Sequence, residues 1–460
     1  MTPSEENAPG ETPQPIYRLS RRALLGAAAL AGPAMWAGGA QAAARNPNYH
    51  PAPSRPPVPW AQVGQANLPP SRPGEDYAPV FHPNGRKLEY RVVDGVKVFH
   101  LVAGDVVHEI APGLKIFCWG YNGGTPGPLI EGAVGDRVRI YVTNRLKEAT
   151  SVHWHALILP NGMDGVGGVT QPIIEPGQTF VYEFSLPTAG TFMYHSHVDD
   201  MVQQALGMTG LFIVHERGAR RPDRDFALLL HEWAIEAGAM RPDPLEMTDF
   251  NVLTINAKSA PATHPLVASM GDRIRIRIGN LSPMSHHPIH LHGYTFRITE
   301  TDGGPIPASA QWPETTVLVA TGTTRTIEFV ADNPGDWFMH CHMTHHMMNQ
   351  MGHGLVNPVG VDPGQTQQKI QKLLPDYMTM GVDGMDEMAH MKMAVPSNSI
   401  PMLGIHGPFN RTSSGGMLTM LKVRDHVEGY DDPGWYEHPA GTVAWLATDE
   451  ELRRDGIETA

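Results

Sequence analysis

The sequence predicts an all-β fold made of two copies of one β-sandwich, and three observations carry that prediction. Glycine and proline are abundant, 48 and 42 in 460 residues, while only 18 % of positions are charged, a composition of short strands and turns. Gly135-Asp136-Arg137-Val138-Arg139-Ile140-Tyr141-Val142 alternates polar and apolar side chains with the period of two of a half-buried strand. Gly271-Asp272-Arg273-Ile274-Arg275-Ile276-Arg277-Ile278 repeats it. A long internal repeat built of short strands implies that a whole sandwich is duplicated.

The chain opens on a segment that reads as an export signal, residues 1–44. Arg18 and Ser20-Arg21-Arg22-Ala23-Leu24-Leu25 precede an apolar run to about Ala37, and Ala40-Gln41-Ala42-Ala43-Ala44 suits signal peptidase. The adjacent arginines look like a twin-arginine signal, which sends folded proteins to the periplasm or the medium; an ordinary secretory signal is the alternative. The run is short, and no second apolar segment is long enough to span a bilayer, so no membrane span is expected. Folding in a reducing compartment before export agrees with a chain whose two cysteines, Cys118 and Cys341, make no disulfide framework. Residues 45–75 are rich in proline and form a linker or arm. The first sandwich then occupies 76–220, the second 221–430, and an acidic tail 431–460. A formal net charge of -13 argues against a nucleic-acid partner.

Each half carries two histidine pairs. The first half has His153-Trp154-His155 and His195-Ser196-His197; the second has His287-Pro288-Ile289-His290-Leu291-His292 and His340-Cys341-His342. With 24 histidines in the chain, about one H-x-H pair would arise by chance. Four occur, each at an equivalent strand end of the repeat. Along a strand, His340 and His342 face one side and Cys341 the other, so adjacent residues serve two metal sites. On the Cys341 side, His346 and Met351 add an imidazole and a thioether, and His287 is the candidate second imidazole. That makes the His2Cys set with weak axial Met of a blue copper site. The equivalent positions of the first half hold Ser196, Thr150 and Met201, so no such site is expected there.

Together the HCH-x3-H-x4-M pattern, the H-P-x-H-L-H run and the two earlier pairs resemble the multicopper oxidases, over roughly residues 89–423. The resemblance implies that each sandwich is a Greek-key, cupredoxin-like domain. It implies four coppers per subunit: type 1 copper on His287, Cys341, His346 and Met351, type 2 copper on His153 and His290, and two type 3 coppers, one on His155, His195 and His342 and the other on His197, His292 and His340. It further implies a laccase-like activity, one-electron oxidation of phenols, aromatic amines or metal ions such as Cu(I), with Mn(II) open, coupled to four-electron reduction of O2 to water. Cys341, bonded through the backbone to His340 and His342, would carry the electrons. Asp164, in Met163-Asp164-Gly165-Val166, resembles the family's acid near type 2 copper, its other reading being an Asp-Gly turn. The second acid of larger members is absent, since Met347 takes its place; Asp199 or Asp200 is left open as a substitute.

Because the chain holds only two sandwiches, it is similar to the two-domain (small) laccases, which implies a homotrimer with clusters between subunits. Residues of about 355–414 form an insertion with Met378, Met380, Met385, Met388, Met391, Met393, Met402 and His390. It either delivers Cu(I) or covers the type 1 site, or it packs as a short helix. Two other functions stay open. One is a periplasmic copper-binding, copper-tolerance protein without turnover. The other is copper nitrite reductase, against which Ser196 and the full set of eight histidines speak.

Overall fold

The computed structural model describes residues 68–236, 238–349, 397–401 and 405–458, with residues 369 and 372 besides. The export signal, most of the proline-rich arm, Met351 and most of the Met-rich insertion lie outside the described residues.

The repeat in sequence is a repeat in topology. The first half contributes β1 (Tyr90–Val93), β2 (Val96–Ala111), β3 (Leu114–Tyr121), β4 (Ile130–Ala133), β5 (Arg137–Asn144), β6 (Val152–His153), β7 (Thr179–Ser185), β8 (Gly190–Ser196) and β9 (Thr209–His215). They form one sheet in the order β1-β2-β5-β7, with β3 on β2, and a second in the order β4-β9-β8-β6. The second half contributes β10 (Arg224–Trp233), β11 (Val252–Ile255), β12 (Leu266–Ser269), β13 (Arg273–Asn280), β14 (His287–Leu291), β15 (Phe296–Thr301), β16 (Gly304–Pro305), β17 (Pro313–Glu314), β18 (Thr316–Val319), β19 (Thr323–Val330) and β20 (Gly335–Cys341), then β21 (His406–Gly407), β22 (Asn410–Arg411) and β23 (Leu418–Arg424). Its sheets run β11-β10-β13-β19-β15-β16, with β17 on β15, and β12-β23-β20-β14-β18. Thus β2-β5-β7 answers to β10-β13-β19, and β4-β9-β8-β6 to β12-β23-β20-β14. Even the parallel pairings correspond, β2 with β5 and β10 with β13, β4 with β9 and β12 with β23. The chain is mostly β, in two sheet-rich, cupredoxin-like domains.

The repeated segments supply β5 and β13, which turn Val138, Ile140 and Val142, and Ile274, Ile276 and Ile278, into the two cores. Each such side chain contributes roughly 1.5–3 kcal/mol by leaving water. The Gly-Asp step before each strand also repeats a contact. Asp136 pairs with Lys97 of β2 at 2.9 Å, both fully buried, and Asp272 with Arg224 of β10 at 3.1 Å, both partly exposed. A third core was not foreseen. The long β2–β3 hairpin reaches past its own sandwich, and Val106, Ile110, Leu114, Ile116 and Cys118 pack on Trp233, Ile235 and Val252 of the second half. Burial pushes the Cys118 thiol up to about 12, which makes it an inert apolar filler. Two short helices lie among the described residues, α1 (Asp200–Ala205) and α2 (Asp449–Asp455). Among the described residues no helix is long and apolar enough to cross a membrane.

Candidate metal centres

In the second half, β14 and β20 run antiparallel with Ile289 opposite Cys341 and His290 opposite His340. Directly opposed residues share a face. His287, two residues before Ile289, therefore lies on the Cys341 side, and His292 and His342 lie on the other. After β20 a single turn of 3-10 helix, Thr344–Met347, brings His346 back over the thiol. The result is a triangle. Cys341 Sγ is 3.4 Å from His346 Nδ1 and 3.7 Å from His287 Nδ1, and the two nitrogens are 3.2 Å apart. Three ligands bound to one ion in a plane at roughly 2.0–2.3 Å would stand about 3.5–4 Å apart, so the triangle fits a metal at its centre. The donor set of two imidazoles and a thiol suits copper.

The electrostatics agree. Burial holds the His287 imidazole down to about 3 and His346 down to about 4, so both present neutral rings at ordinary pH. Burial likewise pushes the Cys341 thiol up to about 12, and only a cation in the triangle would make it a thiolate near neutrality. His287 Nε2, turned away from the triangle, meets Ser282 Oγ at 2.7 Å. Met351, the expected fourth ligand, falls outside the described residues.

The other histidines form two quartets. In the first half the rings of His153, His155, His195 and His197 stand 5.3–6.1 Å apart between centroids. Ligand atoms of His153, His155 and His195 all lie within 4.8 Å of one another. In the second half His290, His292, His340 and His342 stand 4.9–5.7 Å apart. Most of these rings are tied down through one nitrogen, which leaves the other for a ligand. His153 Nδ1 donates to the Asp164 carbonyl at 2.7 Å, His195 Nδ1 to the Ser196 carbonyl at 2.8 Å, His340 Nδ1 to the Cys341 carbonyl at 2.9 Å, and His290 Nδ1 to the Thr315 carbonyl at 2.8 Å. His155 is turned the other way. Its Nε2 donates to the Gly322 carbonyl of the second half at 2.8 Å, leaving Nδ1 facing His195 Nε2 at 3.1 Å.

Two acids stand beside the first quartet. The Asp164 carboxylate is 3.5 Å from His153 Nδ1, and Asp200 Oδ2 is 3.3 Å from His197 Nδ1. Burial pushes the Asp200 carboxyl up, against the pull of His197.

Among the described residues no hydrogen bond and no ring contact joins a histidine of one quartet to a histidine of the other. Burial lowers His195 and His340, and the histidines that lower them further are His155, His153 and His197 for the first and His292, His290 and His342 for the second. Eight imidazoles thus stand in two groups of four, one in each half. The sequence had also left three partners unseen. Ser282 and the Gly322 carbonyl are two; the third is Gln203, which receives the Thr150 hydroxyl at 2.7 Å where counting along the chain had put Met201. Helix α1 turns Met201 outward and Gln203 inward.

Two family models, both described as multicopper oxidase, match residues 107–219 and 237–361, together just over half of the chain. Copper resistance protein A of Escherichia coli is 42% identical over 120 residues, 25% of this chain and 19% of that protein. Multicopper oxidase MmcO of Mycobacterium tuberculosis is 34% identical over 223 residues, 40% of this chain and 43% of that protein. The matches thus span less than half of the length of both relatives. Among solved structures, the blue copper oxidase of Nitrosomonas europaea aligns with a TM-score of 0.53 at 27% identity, over 71% of this chain and 85% of that one. Two matched halves, one carrying a His2Cys triangle and both carrying histidine quartets, leave one assignment: the chain belongs to the multicopper oxidase family, in a form with two cupredoxin domains.

Proposed function

We propose that this protein binds copper at the His287, Cys341, His346 triangle and serves copper tolerance, and that it turns over as a laccase-like oxidase when copies of the chain join their quartets. The single observation that carries the reading is the triangle, whose spacing and donors suit one copper ion. Relatives called copper resistance protein A support the tolerance role. Bound copper would supply a one-electron couple at the triangle and the reduction of O2 at the joined quartets.

The chain's own part in turnover follows from β20. Cys341 hands its side chain to the triangle while His340 and His342, one bond path away on either side, face the second quartet. The histidines assigned to each type 3 copper come from both quartets, so a second copy is needed to complete the cluster. Largely exposed apolar side chains flank both half-sites, Ile158, Val169 and Met201 after the first-half pairs and Leu318 and Met343 beside the second-half strands, as an interface between copies requires. A homotrimer with three such interfaces is the assembly we assign. Asp164, with its carboxylate 3.5 Å from His153 Nδ1, is the acid we assign to proton delivery. Met351 as axial ligand, twin-arginine export of residues 1–44 to the periplasm, and domains at 76–220 and 221–430 belong to the same reading. Phenols, aromatic amines and Cu(I) are the reducing substrates it admits.

One preparation tests both levels. Copper-loaded protein should be intensely blue, should bleach under a phenol or Cu(I), and should regain colour in air with a solution mass of three chains. Colour that bleaches and never returns would leave copper binding without turnover. Protein that takes copper without any thiolate-to-copper absorption would remove the proposal, and a monomer turning over with four coppers would remove its interfacial cluster.

A further inference from the structure

The turns that follow β5 and β13 are built alike, around an asparagine. In the first half Asn144 Oδ1 accepts from Leu146 N at 2.9 Å, while its Nδ2 donates to the carbonyls of Glu148 and Ile174 at 2.8 and 2.9 Å. In the second half Asn280 Oδ1 accepts from Ser282 N at 2.9 Å, while its Nδ2 donates to the carbonyls of Ser285 and Val319, both at 3.0 Å. The position two residues past the asparagine is therefore the same place in both folds, and it is buried in both, Leu146 at 3% exposure and Ser282 at 2%. The first half fills it with an apolar side chain, which needs nothing from its neighbours. The second half places a hydroxyl there, which is costly in an apolar setting unless it finds a partner. The partner is the distal nitrogen of His287, 2.7 Å away. The first half has Thr150 where His287 stands, and so has no ring to hold. Ser282 is itself anchored, since its carbonyl accepts from Thr321 Oγ1 at 2.5 Å and its amide is held by Asn280.

We infer that Ser282 is a positioning residue for the copper centre: its hydroxyl oxygen accepts the Nε2 proton of His287, which fixes the tautomer and rotation that aim Nδ1 at the centre of the triangle. This rests on the copper-binding reading above. A ligand imidazole whose far N–H is accepted by an oxygen is also a stronger base toward the metal, and it favours Cu(II) over Cu(I). No other described hydrogen bond holds the His287 ring from behind.

The experiment compares copper-loaded full-length protein with Ser282→Ala and Ser282→Thr. S282A should release copper from the coloured site to a competing chelator at about 10–100-fold lower chelator concentration, the usual effect of losing such a partner. Its reduction potential, read from the bleaching of the blue band, should rise by about 59 mV for each tenfold weakening of Cu(II) relative to Cu(I). S282T, which keeps the hydroxyl, should stay near wild type on both counts. A folded S282A with unchanged potential and chelator resistance overturns the assignment, and so does an equal shift in both variants, because shape and not the hydroxyl would then be responsible. A measurement on the unaltered protein decides the matter even where S282A does not fold. In the Cu(I)-loaded form, the His287 Nε2 proton should be visible by NMR and slow to exchange with solvent, and a rapidly exchanging proton overturns the assignment. Wild-type protein without a blue band would overturn the copper reading together with this one, whereas an unaffected S282A overturns this one alone.

Discussion

The same corner of the same fold occurs twice in this molecule, once with a triangle of candidate metal ligands and once without. In the second half the corner holds Cys341, His287 and His346; in the first it holds Ser196, Thr150 and Gln203. The strand pairings that create it are equivalent, Val152 opposite Ser196 in one and Ile289 opposite Cys341 in the other. What differs is how the polar groups are satisfied. In the first half Thr150 Oγ1 donates to Gln203 Oε1 at 2.7 Å and Gln203 Nε2 donates to the Ala149 carbonyl at 2.7 Å, while the buried Ser196 hydroxyl has no hydrogen-bond partner among the described residues. In the second, two ring nitrogens and a thiol point at one another across 3.2–3.7 Å. The strand scaffold is the same in both halves, and three side chains decide whether the corner offers a set of candidate metal ligands. The largest effect should come from erasing that difference. Cys341→Ser, which copies Ser196, should abolish the thiolate-to-copper absorption and with it oxygen uptake, with little loss of fold, and retained oxygen uptake in C341S would refute the reading. The reverse swap, Ser196→Cys alone, should give no second blue site, because Thr150 and Gln203 still fill the corner.

The comparison also shows what a sequence can and cannot display. The two sandwiches follow from the repeated Gly-Asp strand and from composition, because alternation at a period of two is a local property of β5 and β13. That Cys341 faces away from His340 and His342 is likewise local. The carbonyls that hold His195 and His340 belong to the next residue, but the partners of the other rings lie farther along the chain. The carbonyl that anchors His155 belongs to Gly322, 167 residues later, and backbone oxygens leave no mark in a sequence. Ser282 was within reach, since aligning Asn144 with Asn280 places it opposite Leu146, but a lone serine draws notice only once its 2.7 Å neighbour is known to be His287. Counting residues puts Met201 where Gln203 stands, because the segment after His197 turns into helix α1, where each residue rotates about 100° from the last. How the two quartets stand to each other depends on how the halves pack, which no motif encodes.

A second, smaller contrast lies at the start of the duplicated strands. Asp136 is fully buried, and it accepts from Lys97 Nζ at 2.9 Å, Arg217 Nη2 at 2.7 Å, and the amide and hydroxyl of Ser71 at 2.7 and 2.5 Å. Burial alone would raise its carboxyl, but Lys97 and Ser71 outweigh that and hold it below the usual range. Asp272, its counterpart, sits partly in water, with Arg224 at 3.1 Å and the Ser269 amide at 2.8 Å. Removing one partner of a buried pair strands the other charge and typically costs about 3–5 kcal/mol. A partly exposed pair contributes about 1 kcal/mol or less. Asp136→Ala should therefore lower the unfolding free energy by about 3–5 kcal/mol, and Asp272→Ala by about 1 kcal/mol, both read by denaturant titration of the metal-free protein. Equal losses would mean that the two copies bear load alike and that burial of the first pair has no consequence.

The smallest contrast is one of acid sensitivity, and it concerns β10 against β2. His231 lies on β10, where the pairing of β2 with β5 and of β10 with β13 puts Gly104 at the matching place of the first half. Burial lowers His231 to about 4, although the carbonyls of Leu281 and Ala205 act to raise it. His82 is lowered to about 4 by burial as well, and its Nδ1 donates to the Ala227 carbonyl of the same strand at 2.9 Å. Both rings are neutral in the folded protein and would charge at about 6.5 once unfolded, so the unfolded chain binds more protons between those values. Stability is then full above pH 6.5 and is lost as pH falls toward 4, by at most about 1.4 kcal/mol per pH unit for each ring. Asp136 works in a different window, since a depressed carboxyl keeps its whole contribution above pH of about 4. Between pH 6.5 and 4.5 the metal-free protein should lose amide-exchange protection along β10 before the paired stretch Lys97–Ala103 of β2 does. His82→Phe together with His231→Phe should make that slope shallower, leaving the share of His108, His195, His287 and His346, which burial also lowers. A double variant with the wild-type slope would place the acid sensitivity elsewhere and dissolve this last difference between the halves.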